Sequence, residues 1–353
     1  MKGDKIVVGI TQGDINGIGY EVIIKTLSDS RIYDFCIPVV YGSPKVAAYH
    51  RKALNLENFS FNTIRGVEEA SAKRASIINC TDDTVRVELG KSTPIAGEAS
   101  YKALEAAAQD LAHHKIDALV TAPINKSNIQ SEKFQYAGHT EFFEAQFSSG
   151  GVLMVMINDL FRIGVVTTHV PINKITEYIT KDSVLNKVRI LHRSLMIDFR
   201  ITNPRIAILG LNPHAGDEGL LGEEEQKEII PALEAARVES VSVFGPFPAD
   251  GFFGAGMYKK FDAILAMYHD QGLIPFKALT EEGGVNFTAG LPIVRTSPSH
   301  GTAFDIAGKG EASSDSFRKA LYMACDVFKN RKEYTDISGN PLKPFDGSEL
   351  QNS

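Results

Sequence analysis

Nine short runs of apolar, largely β-branched residues recur along the chain, with longer amphipathic stretches between them. This alternation limits the possible folds more than any other feature. The runs at 5–10, 38–41, 118–121, 151–157, 162–166, 205–209, 241–244, 263–266 and 293–296 read as strands. Several are apolar throughout, as expected for strands covered by helices on both faces. Within 183–199, Val184, Val188, Leu191 and Leu195 fall on one helical face. The Ala-rich stretch 98–114 has the same period, and 223–237 opens with acids where a helix dipole favours them. Alternating strands and helices predict an α/β fold with a largely parallel sheet. The runs at 59–64, 76–80 and 84–89 have no helix between them and predict a small antiparallel insert. Turn formers dominate 339–353, which reads as a loose tail.

At 353 residues the chain has room for two domains or one large one. Its formal charge of −6 argues against a nucleic-acid binder, which would need a basic patch. No apolar run reaches the roughly 18 residues of a membrane span, and the start at 1–5 leads into a strand with no signal-like apolar segment. Three cysteines, Cys36, Cys80 and Cys325, are odd in number and sit in apolar surroundings. They read as buried reduced thiols of a cytoplasmic protein.

The loop Gly13-Asp14-Ile15-Asn16-Gly17-Ile18-Gly19 follows the first strand. It lacks the Gly-x-Gly-x-x-Gly spacing of a dinucleotide site and the Lys-Ser/Thr of a P-loop, so a tight turn needing positive φ is the alternative. Three histidines share a different setting. His169, His214 and His269 each lie just past an apolar run, entering a loop rich in Gly or Pro. Carboxyl ends of parallel strands gather where ligands bind, and three imidazoles there suffice for a divalent metal with an open position. They are 45 and 55 residues apart, so no local motif supports them, and three ordinary hydrogen-bonded loop histidines remain the alternative. His50, His113, His114 and His192 fall on helical stretches and read as surface or boundary residues.

Other polar groups fall in similar loops. His139 and Thr140 open a helix, with Thr140 as its cap, and such an end suits a phosphate. Asp250 and Asp270 place carboxylates where they could orient a ligand histidine or accept a proton. Lys277, Asn286 and Arg295 follow. Lys277 and Arg295 would ordinarily be solvated, but Arg295 ends an apolar strand, where a cation favours a bound phosphate or carboxylate.

Taken together, the motifs form an ordered set. Gly9-Ile10-Thr11-x-Gly13-Asp14, Gly138-His139-Thr140-Glu141, Leu211-Asn212-Pro213-His214-Ala215-Gly216 and Gly245-Pro246-x-Pro248-Ala249-Asp250 come first. Met267-Tyr268-His269-Asp270-Gln271-Gly272, Gly284-Val285-Asn286-x-Thr288-x-Gly290-Leu291-Pro292, Arg295-Thr296-Ser297 and His300-Gly301-Thr302-Ala303 follow. The set resembles the 4-hydroxythreonine-4-phosphate dehydrogenase family of vitamin B6 synthesis, from about residue 5 to residue 329. The resemblance implies two α/β/α domains with a cleft between them, as in isocitrate and isopropylmalate dehydrogenases. It places one domain at 1–125 plus about 305–338, with the insert near 59–89, and the second at 126–304. It also implies a homodimer and NAD, or NADP, bound without a Rossmann fingerprint. Carried onto this chain, the metal ligands are His169, His214 and His269, drawn from both subunits. The substrate contacts are His139, Thr140, Lys277, Asn286 and Arg295. The chain departs from the family pattern at Gln12, Ile15, Asn16 and Tyr20, at Gly251 and over 277–283, and these departures bear on the substrate.

The implied substrate is a phosphorylated four-carbon hydroxy acid, 4-phosphohydroxy-L-threonine, oxidised and decarboxylated to 3-amino-2-oxopropyl phosphate. A related branch acts on 4-phospho-D-threonate or 4-phospho-D-erythronate, which carry a hydroxyl in place of the amine. A divalent cation would stabilise the alkoxide from which hydride leaves. Three imidazoles suit zinc, while cobalt, manganese or magnesium could serve with substrate oxygens. Asp270 or Lys277 would carry the proton, with Asp250 as a supporting carboxylate. A metal-dependent hydrolase and a phosphate acyltransferase are the rival readings, and turnover without a nicotinamide, or with an acyl thioester, would distinguish them.

Overall fold

The computed structural model describes residues 5–56, 58–82, 84–147, 150–280 and 283–339. Twelve strands appear among these residues. They are β1 (Ile6–Thr11), β2 (Cys36–Gly42), β3 (Asn62–Ile64), β4 (Ser76–Asn79), β5 (Ala118–Thr121), β6 (Leu153–Ile157), β7 (Arg162–Thr167), β8 (Ile206–Leu209), β9 (Val243–Phe247), β10 (Ala263–Tyr268), β11 (Val285–Ala289) and β12 (Arg295–Pro298). They form one sheet in the order β3-β4-β2-β1-β5-β12-β11-β6-β7-β10-β8-β9. The apolar runs β1, β2, β5 and β8 are buried along their whole length, as strands covered on both faces must be. The fold is thus the mixed α/β expected from the alternation.

Strand direction divides the sheet. From β3 to β12 every pairing is parallel, and from β7 to β9 every pairing is parallel again. Between these blocks β11 is antiparallel to β12 and to β6, and β6 is antiparallel to β7. The antiparallel insert expected near 59–89 is therefore corrected. β3 and β4 run parallel to each other and to β2, extending the sheet, and 84–89 forms no strand. A short turn at Val67–Glu69 makes the crossover in place of a full helix. β11 was not foreseen.

Helices cover the sheet as their periodicity demands. Lys181–Ile197 buries Val184, Val188, Leu191 and Leu195, and a capping box between Thr180 and Ser183 starts it. Asp315–Ser338 packs on β12 through a buried face that includes Phe317, Leu321 and Cys325. The stretch expected as one helix at 223–237 begins instead with a π-helical turn, Glu225–Ile229. Glu225 is buried rather than exposed to a helix dipole, because its carboxylate accepts from the backbone N–H groups of Leu211 and Asn212, both at 2.7 Å. All three cysteines are unpaired; Cys36 and Cys325 are buried and Cys80 is half-buried. His50 is not a surface residue: it is buried, and Nε2 lies 2.8 Å from the Ile15 carbonyl. Beyond Gly339 the expected tail lies outside the described residues. Among the described residues no helix is long and apolar enough to cross a membrane.

Candidate active site

The loop after β5, the start of the His139–Phe147 helix, the loops after β7 and β12, and the His269–Leu279 helix surround a cavity of about 240 Å³. Seven of the residues singled out in the sequence line it: His139, Thr140, His169, His269, Lys277, Asn286 and Arg295. The helical repeat explains part of this. His269, Leu273 and Lys277 are spaced four apart on one helix face, and all three face the cavity. Thr140 lies within the first turn of the His139–Phe147 helix and not at its cap.

Arg295 is the largest fully buried side chain among the described residues, 1% exposed. It opens β12, between the parallel block and β11. Nε and Nη2 donate to the Thr121 hydroxyl at 3.1 and 2.6 Å, and Nη1 donates to the Thr288 hydroxyl at 3.2 Å. Three of its N–H groups thus meet neutral oxygens, which leaves two of the five a guanidinium carries. Among the described residues it has no ion pair. Burial pushes its pKa down to about 9, with only Glu141 opposing, so the group remains a cation at neutral pH without a counter-ion in contact. An unpaired buried charge is costly, and an anion in the cavity would supply the missing partner.

The surrounding polar groups show the same shortage. His139 Nε2, Glu141 Oε2, Asn286 Oδ1 and His300 Nε2 are shut off from solvent and have no hydrogen-bond partner, and all four residues line this cavity. Burial, then the charges of Arg295 and Lys126, hold the His139 imidazole well below its usual range, so it is neutral. Burial likewise lowers His300. Burial raises the Glu141 carboxyl, but its hydrogen bonds and the nearby charges outweigh this and leave it lowered and ionised.

His169 and His269 face each other across the cavity, their ring centroids 6.4 Å apart. Each has Nδ1 against a carboxylate: His169 to Glu141 Oε1 at 2.8 Å, and His269 to Asp270 Oδ1 at 2.6 Å. A carboxylate on Nδ1 fixes the tautomer that leaves the Nε2 lone pair for a metal. The pair therefore fits the donor set of a metal site. His214 is not with them. β7, β10 and β8 are adjacent and parallel, so the three histidines follow neighbouring strand ends, but His214 does not line the cavity. Among the described residues no three ligating groups converge.

His214 instead stands exposed on a segment of uncommon geometry. His214, Ala215, Gly216, Asp217 and Glu218 have φ of 54°, 54°, 83°, 44° and 56°, a continuous left-handed turn. Each non-glycine residue there costs roughly 1–2 kcal/mol, and such strain gathers at functional sites. Buried Glu225 holds the base of the turn through Leu211, Asn212 and the Asn212 side chain. Asp250 is exposed on Ala249–Gly254, a helix that lies against this turn and away from the cavity.

Residues that sequence reasoning did not select also line the cavity. Lys126, Glu141 and His300 are the chief ones. Glu141 and His300 were inside quoted motifs without a role, and Lys126 follows β5 much as the histidines follow their strands. The departures at Gln12, Ile15, Asn16, Tyr20 and Gly251 all lie outside the cavity lining. Two of them explain each other: Tyr20 donates its hydroxyl to Gln12 Oε1 at 2.8 Å in the buried turn.

Residues 34–324 match the family model described as pyridoxal phosphate biosynthetic protein PdxA. A 4-hydroxythreonine-4-phosphate dehydrogenase of Bacteroides thetaiotaomicron is 55% identical, covering 97% of this chain and 94% of its own. A protein of Oceanobacillus iheyensis named for D-threonate 4-phosphate dehydrogenase activity is 38% identical over 92% of this chain and 98% of its own. The crystal structure of 4-hydroxythreonine-4-phosphate dehydrogenase from Klebsiella pneumoniae superposes with a TM-score of 0.79 at 32% identity, covering 93% and 99% of the two chains. A phosphotransacetylase of Staphylococcus aureus, at 14% identity and a TM-score of 0.51, shares the fold alone. From the matched model and these full-length relatives, the chain belongs to the PdxA family of pyridoxal phosphate biosynthetic proteins.

Proposed function

We propose that the chain is an NAD-dependent, divalent-metal-dependent 4-hydroxythreonine-4-phosphate dehydrogenase. It oxidises the secondary alcohol of 4-phosphohydroxy-L-threonine and releases carbon dioxide, leaving 3-amino-2-oxopropyl phosphate. The observation that carries this reading is the buried Arg295 guanidinium, which lacks a counter-ion in a cavity walled by two carboxylate-braced histidines.

His169 and His269 would hold the cation, which would supply Lewis acidity at the substrate's hydroxyl oxygen, and a bound nicotinamide would supply the hydride acceptor. The chain's own groups do the rest. Arg295, the His139–Phe147 helix start and Thr140 bind the phosphate and fix the reacting carbon. Asp270 is engaged with His269 Nδ1 and acts as its brace. Lys277 faces the cavity, and we assign its Nζ the return of a proton to the carbon that loses carbon dioxide. The free Oε2 of Glu141 and Oδ1 of Asn286 are acceptors without donors. An ammonium on the substrate would satisfy them, which favours the amino acid over 4-phospho-D-threonate.

The third imidazole comes from a second copy. His214 is exposed and projected on a strained turn, apart from the pair it is expected to join. Ile172, Leu220 and Ile274, on segments following the same three strands, are 80%, 79% and 65% exposed. Such apolar exposure suits a face covered in a homodimer.

A panel of phosphorylated four-carbon acids, amino and hydroxy, assayed for NADH and carbon dioxide with and without chelator, tests this function. Chelator-sensitive NADH formation, fastest on the amino acid, is expected. Turnover without a nicotinamide, or a preference for the hydroxy acids, would overturn it.

A further inference from the structure

Lys126 enters none of the roles assigned above. It stands on the loop leaving β5, where Asn125 Oδ1 accepts from Ser127 N at 2.9 Å, Ser127 Oγ at 2.6 Å and Asn128 N at 3.2 Å. This turn is tied down further by Asn128, whose amide donates to Asp14 Oδ2 at 2.7 Å. The Lys126 stem runs beside the start of the His139–Phe147 helix: a methyl group at Gly138 would lie 3.5 Å from its Cε. Its ammonium ends 2.8 Å from His169 Nε2. That is the nitrogen left as a lone pair once Nδ1 is held by Glu141. Among the described residues Lys126 has no ion pair.

A metal and an ammonium cannot share one lone pair, and two cations this close repel. Metal binding at His169 must therefore turn Lys126 away. Its flexible four-carbon stem allows this, and its charge favours a place beside an anion. We infer that Lys126 is a substrate-binding residue: its ammonium contacts an anionic group of the substrate, carboxylate or phosphate, and the metal on His169 releases it to do so. This inference rests on the dehydrogenase reading above.

Two calorimetric titrations test it in the wild type, Lys126→Met and Lys126→Arg. In the first, Mn²⁺ alone is titrated. Removing the competing ammonium should tighten Mn²⁺ binding by roughly threefold in Lys126→Met. In the second, 4-phosphohydroxy-L-threonine and 4-hydroxy-L-threonine are titrated into Mn²⁺-loaded protein without NAD. Losing a charge-assisted hydrogen bond should weaken binding by about tenfold to a hundredfold in Lys126→Met, with partial recovery in Lys126→Arg. A loss confined to the phosphorylated ligand places Lys126 on the phosphate, and an equal loss on both places it on the carboxylate. Unchanged ligand affinity in Lys126→Met, or weaker Mn²⁺ binding, overturns the inference. If no acid in the panel yields NADH, the dehydrogenase reading fails on that ground, and the Mn²⁺ titration still decides whether Lys126 competes for His169.

Discussion

In the glycine loop after β1, Gln12, Asp14, Asn16 and Tyr20 are all buried, and each finds partners within the chain. Asp14 accepts from Asn16 N at 2.9 Å and Asn128 Nδ2 at 2.7 Å. Asn16 donates to the Lys91 carbonyl and the Thr93 hydroxyl and accepts from Glu88 N. Gln12 accepts from Tyr20 and Ser43 N and donates to the Ala99 carbonyl. In the cavity around Arg295, by contrast, His139, Glu141, Asn286 and His300 each keep an atom without a partner. Buried polar groups are normally satisfied. Seven other buried side-chain atoms among the described residues also lack a partner, but they are scattered, whereas these four gather on one cavity beside a buried cation, which is where a polar ligand would find donors and acceptors to meet. The contrast also answers which reading of the glycine loop holds. Gly13 takes φ 68°, and a Cβ there would lie 2.4 Å from the Pro123 carbonyl oxygen, so the loop is a close-packed turn.

The largest expected effect is at Arg295. Arg295→Met removes two N–H groups available to the substrate anion, each contributing roughly 1.5–3 kcal/mol. Substrate kcat/KM should fall about a hundredfold to ten-thousandfold. Steady-state kinetics would weaken the contrast between the clusters if Arg295→Met behaved like the wild type.

Next in size is the shared site. His169 and His269 line one cavity and His214 does not, so complementation should join His214→Ala with His169→Ala. Each hybrid dimer then holds one intact site, and random exchange should restore about a quarter of wild-type activity. Mixing His169→Ala with His269→Ala should restore none, since no hybrid site has both. Activity in the second mixture would refute the arrangement.

Asn16→Ala breaks the satisfied cluster. It leaves buried donors and acceptors unmet and should cost about 2–3 kcal/mol in denaturant unfolding, with substrate KM unchanged because Asn16 is outside the cavity lining. A KM change comparable to that of Arg295→Met would erase the distinction.

The smallest effect is that of pH. Burial lowers His50, His139 and His300 from the ordinary 6.5. Their folded pKa values lie below the unfolded ones, so the unfolded chain takes up protons first as pH falls. The stability they contribute is complete above about pH 6.5 and is lost as pH drops through 6.5 toward the folded values. His50→Gln should flatten that slope in a pH series of unfolding curves, and an unchanged slope would show that His50 does not titrate on unfolding.

Much of this was legible in the residues. Nine apolar runs became strands, and β1, β2, β5, β6 and β8 are buried along their whole length, while β9 at the sheet edge is only partly covered; Val184, Val188, Leu191 and Leu195 were buried as their spacing required. Direction was not legible: β3 and β4 read as an insert because periodicity marks a strand without saying which way it runs. β11 escaped because Asn286 and Thr288 break an apolar run inside a glycine-rich motif. The cavity residues that follow strands were visible as chemistry, but Lys126 was not selected, because only the fold brings it to His169. The exposure of His214 is equally a tertiary fact, since five residues in a left-handed turn have no sequence period.

The unfolding free energy of Arg295→Met, measured without substrate and beside the wild type, tests the central claim most directly. A guanidinium kept for a ligand adds little to the fold, and an apolar chain of similar length relieves the burial of an unpaired charge. The expected result is a stability equal to wild type within about 1 kcal/mol, or higher. A loss of roughly 3 kcal/mol or more would show that Arg295 is satisfied by the fold itself, and the anion site would have to be sought elsewhere.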